Sequence, residues 1–167
     1  MVIVRATRKL LQRLRRAPVA DGDESTTLLG DWYATLLPWR PRQVALLVNE
    51  RTLLPVVMPL APATTLLDRL PDHVVAVLGA HGAPEPLITA EAEHMRQGRV
   101  APTANRSIVG SINEFAYLAD VYRSDYPADP DLLDLSLRLS TVPCGPLYAR
   151  HVSPDHELAA LLRDHST

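Results

Sequence analysis

Three features of this 167-residue sequence predict an α+β fold, a small and mainly antiparallel sheet with helices packed on it. Between residues 32 and 60 the apolar runs WYATLL, QVALLVN and LLPVVMPL are separated only by PWRPR and ERT, the pattern of an antiparallel meander. Beyond residue 66 the period turns helical: Leu67, Leu70, Val74, Val77 and Leu78 form one apolar stripe, and Ile112, Phe115, Ala116, Ala119 and Tyr122 form another. Finally, 47% hydrophobic and 22% charged residues suit one buried core, so residues 1–167 are expected to make a single domain.

In order along the chain, residues 2–6 (VIVRA) read as a short strand added to the sheet. Thr7 is placed to cap a helix carrying Leu10, Leu11 and Leu14, which must end before Pro18. The acidic, turn-forming segment near 18–27 is expected to be a mobile loop. QVALLVN, apolar at nearly every position, is expected at the centre of the sheet with both faces covered, and Pro55, which has no amide proton, on the outer strand. Pro71 interrupts the next stripe, leaving either two collinear helices or one kinked helix ending near Gly79.

HGAPEP reads as a loop and Glu91 to Gln97 as a helical turn. VAPTANRSIVG leads into a helix for which Ser111 and Glu114 have the S-x-x-E spacing of a capping box. Leu132 to Leu139 reads as a short helix, and Ser153 with Pro154 opens the last one.

Composition excludes several functional classes. A formal charge of −2 gives no global attraction to nucleic acid or anionic membrane, although Arg5, Arg8, Lys9, Arg13, Arg15 and Arg16 all precede the first acid. LLPVVMPLAPA is short and carries three prolines, far from the ~20 apolar residues of a membrane span. The lone Cys144 rules out an intrachain disulfide and implies a reducing cytoplasm, while the six histidines show no paired ligand spacing, so no metal and no cofactor is expected. A Walker loop, a dinucleotide fingerprint and a G-x-S-x-G elbow are all absent. One lysine against sixteen arginines, with abundant Ala and Pro, points to a GC-rich bacterial source.

Polar residues gather at three places. LGDWYA sets Gly30 and Asp31 at the entrance to a strand; Asn49, Glu50, Arg51 and Thr52 make the turn between two strands; NRSIVGSIN puts Asn105, Arg106, Ser107 and Asn113 around a helix start. An arginine beside a helix N-terminus could receive an anion, or pair with an internal acid such as Asp31 or Glu50.

VRATRKLL, LGDWYATLL, RQVALLVNERTL and NRSIVGSINEFA, in that order, resemble the successive motifs of an uncharacterised bacterial family, a domain of unknown function whose members read close to RCTKKLL, LGDWYANLL, TNE-TL and NRSVLGSMND. The resemblance covers most of residues 3–119. It departs at Ala6, Thr35 and Glu114, where the family pattern has Cys, Asn and Asp. It implies a single-domain protein and brings no reaction with it. The shared polar positions Arg5, Asp31, Asn49, Glu50, Arg106, Ser107 and Asn113 become the candidates for a ligand-binding site. GDWYATLLP, RQVALLVNERT and VVMPLAP are also similar, more distantly, to the opening of MazF-type endoribonuclease toxins, although Arg42 is followed by Gln43 where those proteins have Pro.

The expectation is therefore a non-enzymatic binding or regulatory protein whose partner is another protein or an anionic ligand. The alternative is a small nucleic-acid or phosphoester-processing enzyme using Arg106 with Asp31 or Glu50.

Overall fold

The structure is a computed structural model describing residues 1–16, 18–20 and 22–165. Its centre is a five-stranded sheet in the order β4-β3-β2-β1-β5, built from β1 (Val2–Ala6), β2 (Trp32–Leu37), β3 (Val44–Asn49), β4 (Pro55–Pro59) and β5 (Gly98–Pro102). The expected meander is β2-β3-β4, antiparallel throughout, with Tyr33 opposite Val48 and Leu46 opposite Val57. Strand β1 pairs parallel with both β2 and β5, so the sheet is mixed and the fold is α+β.

Alternation along the strands divides the core in two. Val2, Val4, Ala6, Trp32, Ala34, Ala45, Leu47, Val56 and Met58 face one way. There they meet Leu10 and Leu14 of α1 (Arg8–Leu14), the Leu67–Leu78 stripe of α2 (Leu66–Ala80), Ile88 of α3 (Glu85–His94), and Leu158 and Leu162 of α6 (Pro154–His165). Tyr33, Leu37, Val44, Leu46, Val48 and Val57 face the other way, against Ile108, Ile112, Phe115 and Ala119 of α4 (Arg106–Arg123) and Leu135 and Leu139 of α5 (Leu132–Leu139). Helices on both faces explain why every residue of β3 is buried.

Several expectations change in detail. Strand β2, not the run QVALLVN, occupies the middle of the sheet, because the unexpected strand β5 extends it beyond β1. Pro55 does lie on the edge strand, where no ladder bond needs its nitrogen. Thr7 holds the N-cap position of α1 without a side-chain cap bond. Pro71 sits inside one helix, α2, whose six buried side chains compensate for the missing backbone bond. The helical turn expected from Glu91 is the end of α3, which starts at Glu85.

The capping box is the clearest correction. Helix α4 begins five residues before Ser111, at Arg106, with Asn105 as its cap; the Asn105 side-chain oxygen accepts from the amides of Ser107 (2.9 Å) and Ile108 (3.3 Å). Ser111 is buried inside the helix and Glu114 lies on its exposed side. The S-x-x-E spacing also fits one helical turn in a helix interior, so it does not fix where the helix starts.

The segment 18–27 is a loop tied at both ends: the Val19 amide donates to the Val100 carbonyl at 2.9 Å, and the Ile3 amide donates to the Ser25 hydroxyl at 2.9 Å. Asp21, part of the acidic run, lies outside the described residues.

Candidate functional site

Four of the seven candidate residues meet at one end of the sheet. Asp31 precedes β2 and faces the same side as Arg5 of β1, so its carboxylate accepts from Arg5 Nε at 2.8 Å and from the Ser25 hydroxyl at 2.6 Å. The Asp31 amide donates to Glu50 Oε1 at 2.9 Å, and the Glu50 amide returns a bond to the Asp31 carbonyl at 3.0 Å. This is why residue 30 is Gly. Its φ of +76° suits glycine, and a Cβ there would collide with the Glu50 carboxylate.

Asn49 is fully buried and uses both ends of its amide. Nδ2 donates to the carbonyls of Leu29 (2.8 Å) and Asp31 (3.3 Å), while Oδ1 accepts from the amides of Arg51 and Thr52 and from the Thr52 hydroxyl, all within 3.1 Å. The turn it ties places Leu53 at φ +59°, a region that non-glycine residues rarely adopt. From the opposite side, Glu91 of α3 accepts from the amides of Leu28 (2.8 Å) and Leu29 (3.0 Å). Burial raises the Glu91 pKa above the ordinary carboxylate value, with the two amide bonds and the charges of His94 and Arg51 opposing. Sequence reading missed Glu91, whose only signal is an acid at a core-facing helical position.

Arg5, Gly30, Asp31, Glu50, Arg51, Ser25 and neighbouring acids line a shallow cleft of about 290 Å³. Its polar groups already bond to one another, so it is first of all a knot joining the LGDW and NERT loops.

Arg106, Ser107 and Asn113 lie elsewhere, on the exposed side of α4, and their own side chains make no hydrogen bond or ion pair among the described residues. Two bonds run between the neighbourhoods of the two groups: Tyr33 Oη accepts from the Asn105 amide at 3.1 Å, and Arg5 Nη1 donates to the Pro102 carbonyl at 3.3 Å. The acid that pairs with an arginine is Asp31, but its arginine is Arg5 and not Arg106.

At the opposite end of β2 and β3 the segment PWRPR does more than connect strands. Trp39 is buried, and the guanidinium of Arg123, from the last turn of α4, lies over its ring at 4.8 Å from the centroid while donating to the Arg40 carbonyl. Trp39, Arg40, Pro41, Arg42, Gln43, Pro59 and Ala61 line a cleft of about 570 Å³, and Trp39, Arg42 and Arg123 also border a smaller one with Asp129. None of Arg40, Arg42 and Arg123 has a carboxylate within ion-pair distance among the described residues. The signal was present in the sequence as Arg40 and Arg42 on either side of Pro41, directly after Trp39.

Other polar clusters are at least partly paired within the chain. A concavity of about 610 Å³ between α2 and α3 is lined by Asp68, Asp72, Glu85 and Glu93, of which Asp68 pairs with Arg16 and Glu93 with Arg96. The buried Glu157 binds both Arg150 and, at 2.8 Å, His151. No group of three or more His, Cys, Asp and Glu among the described residues is arranged to hold a metal ion. Burial, with the Glu114 charge second, pushes the Cys144 thiol up to about 11, so at neutral pH it is protonated and a poor nucleophile. No helix among the described residues is long and apolar enough to cross a membrane.

A family model described as "Domain of unknown function (DUF6933)" matches residues 3–157. The chain belongs to this family. The DUF6933 match runs from β1 into the first turn of α6, so it takes in both the polar knot and the arginine-lined cleft. Neither the curated proteins nor the solved structures contain a match to this DUF6933 chain, and the resemblance to endoribonuclease toxins finds no support there.

Proposed function

We propose that this protein is a non-enzymatic binding protein that receives a phosphate-bearing ligand in the cleft beside Trp39. The observation that carries the reading is the pair of guanidinium side chains, Arg40 and Arg42, that line about 570 Å³ of open space without a carboxylate partner among the described residues, with Arg123 bordering the smaller cleft beside it. Guanidinium offers a planar fork of donors suited to phosphate, and Pro41 stiffens the backbone that presents both. The volume suits a ligand of nucleotide size.

The rival enzyme reading needs Arg106, Asp31 and Glu50 to converge on one reacting group. Asp31 is instead held by Arg5 and Ser25, and Glu50 by the Asp31 amide, which favours a binding protein. Bacterial origin is supported by the arginine-for-lysine bias, and a cytoplasmic setting by the lone thiol.

Titration with inorganic phosphate and pyrophosphate, followed by NMR at the Trp39 indole and the Gln43 and Val44 amides, tests the reading. Saturable shifts are expected, lost in the Arg40→Gln/Arg42→Gln double variant at unchanged melting temperature. Absence of any shift up to 10 mM pyrophosphate, on the order of the weakest useful affinity, refutes it.

A further inference from the structure

The outer side of α4 carries a second feature, independent of the cleft. At about 100° per residue, Arg106, Gly110, Asn113, Tyr117, Asp120 and Val121 fall on one stripe directly opposite the buried Ile108, Ile112, Phe115 and Ala119. The fold makes no use of it. Tyr117 is 70% exposed and Val121 46%, and none of the stripe's side chains has a hydrogen-bond or ion-pair partner among the described residues. Gly110 is the odd member: a Cβ there would meet nothing within 4 Å, so neither packing nor backbone conformation inside the chain requires glycine in mid-helix, where it weakens the helix relative to alanine.

We infer that α4 is the interface of a two-fold symmetric homodimer in which the helices of two copies pack antiparallel on this stripe. The argument lies in the order of residue types. When a helix packs antiparallel on its own copy, residues equidistant from one midpoint face each other across the axis. Gly110 and Tyr117 have their midpoint between Asn113 and Glu114, and Arg106 and Asp120 have theirs at Asn113. Two complementary pairs, one of small against large and one of opposite charge, therefore centre within about half a residue of Asn113.

At that centre stands Asn113, whose side-chain amide is both donor and acceptor and so can bond to its own symmetry mate. Glycine at 110 lets the Tyr117 ring of the second copy lie against the helix backbone. Arg106 and Asp120 each stand at the end of their own helix whose dipole disfavours their charge, and antiparallel packing sets each beside the end of the other helix that favours it. A parallel arrangement would oppose Arg106 to Arg106 and Tyr117 to Tyr117. A foreign partner would not require this internal symmetry.

Sedimentation equilibrium over micromolar to hundreds-of-micromolar protein, together with charge exchange, tests the inference. The parent chain is expected to pass from one chain mass to two. Arg106→Glu and Asp120→Arg should each weaken dimerisation at least tenfold, and the double variant Arg106→Glu/Asp120→Arg should recover it, because the swap restores both pairs in a homodimer. Gly110→Ala is the second probe, expected to raise the melting temperature at low concentration while weakening the dimer. A chain monomeric throughout the range overturns the proposal, and so does a dimer that the double variant fails to restore. Neither result bears on phosphate binding at the Trp39 cleft, which shares no residue with the stripe.

Discussion

The LGDW-NERT knot and the outer side of α4 are equally rich in polar residues, yet their side chains behave in opposite ways. In the knot, the carboxylate of Asp31, both ends of the Asn49 amide and the Glu50 carboxylate bond to other parts of the chain. On α4, the side chains of Arg106, Asn113 and Asp120 have no bonding partner among the described residues. A polar motif in a loop between two strands must satisfy the backbone groups that the sheet leaves over. A polar motif on a helix, where the backbone satisfies itself, has no such obligation. The same residue types are therefore weak evidence of a ligand in the first setting and stronger evidence of a partner in the second.

The sharpest way to break this contrast is Asn49→Ala. Removing a fully buried side chain leaves three donors and the Leu29 carbonyl without this partner, while the Asp31 carbonyl keeps the Glu50 amide, so a loss of roughly 3 to 5 kcal/mol in denaturant unfolding is expected. That is comparable with Leu46→Ala, about 2 to 5 kcal/mol, in the middle of the apolar core. An Asn49 variant as stable as its parent would falsify the structural account of the knot.

Glu91→Gln comes next, at roughly 1 to 3 kcal/mol, because an amide can replace only one of the two carboxylate acceptors without turning an NH₂ toward a backbone NH. The pH dependence carries a definite sign. The folded-state pKa of Glu91 is raised, so the native state holds its proton more tightly than the unfolded chain does. The contribution of this group to stability is then greatest below the unfolded value of about 4.5 and declines as pH rises through the folded one. The Gln variant should lose that component of the stability profile; an identical profile in both proteins contradicts the assignment.

How much of this could be read from the sequence follows from the range of the interactions. The meander, the stripe of α2 and the start of α6 were legible because strand alternation, helical period and a Ser-Pro start are local patterns. Strand β5 was not, since Gly98–Pro102 is short and contains Arg99 and Pro102, and it is a strand only because β1 lies beside it. The candidate residues Arg5, Asp31, Asn49 and Glu50 were identified by type, but their mutual bonding depends on the parallel pairing of β1 with β2, which no local pattern encodes. The surroundings of Trp39 were not legible because Arg123, which covers its ring and borders the smaller cleft, comes from a helix more than eighty residues away in sequence.

A smaller effect tests the start of α4. Asn105→Ala should cost about 1 kcal/mol, since its oxygen caps two first-turn amides, while Ser111→Ala should lack that capping component altogether. Equal losses for the two variants, measured by thermal unfolding, would restore the capping box at Ser111.

The smallest expected effect is the most selective. Tyr117→Ser removes a ring that is 70% exposed and has no hydrogen-bond partner among the described residues, so at low micromolar concentration it should change stability by less than about 0.5 kcal/mol. If α4 pairs with a second copy, parent stability must increase with protein concentration, because only the folded chain can dimerise. The variant should lose that dependence while matching the parent in dilute solution. The two unfolding curves would then coincide at low concentration and separate at high concentration. Separation already in dilute solution would mean that Tyr117 supports the monomer itself, and the contrast between an inward-bonded knot and an outward-facing helix would have to be redrawn.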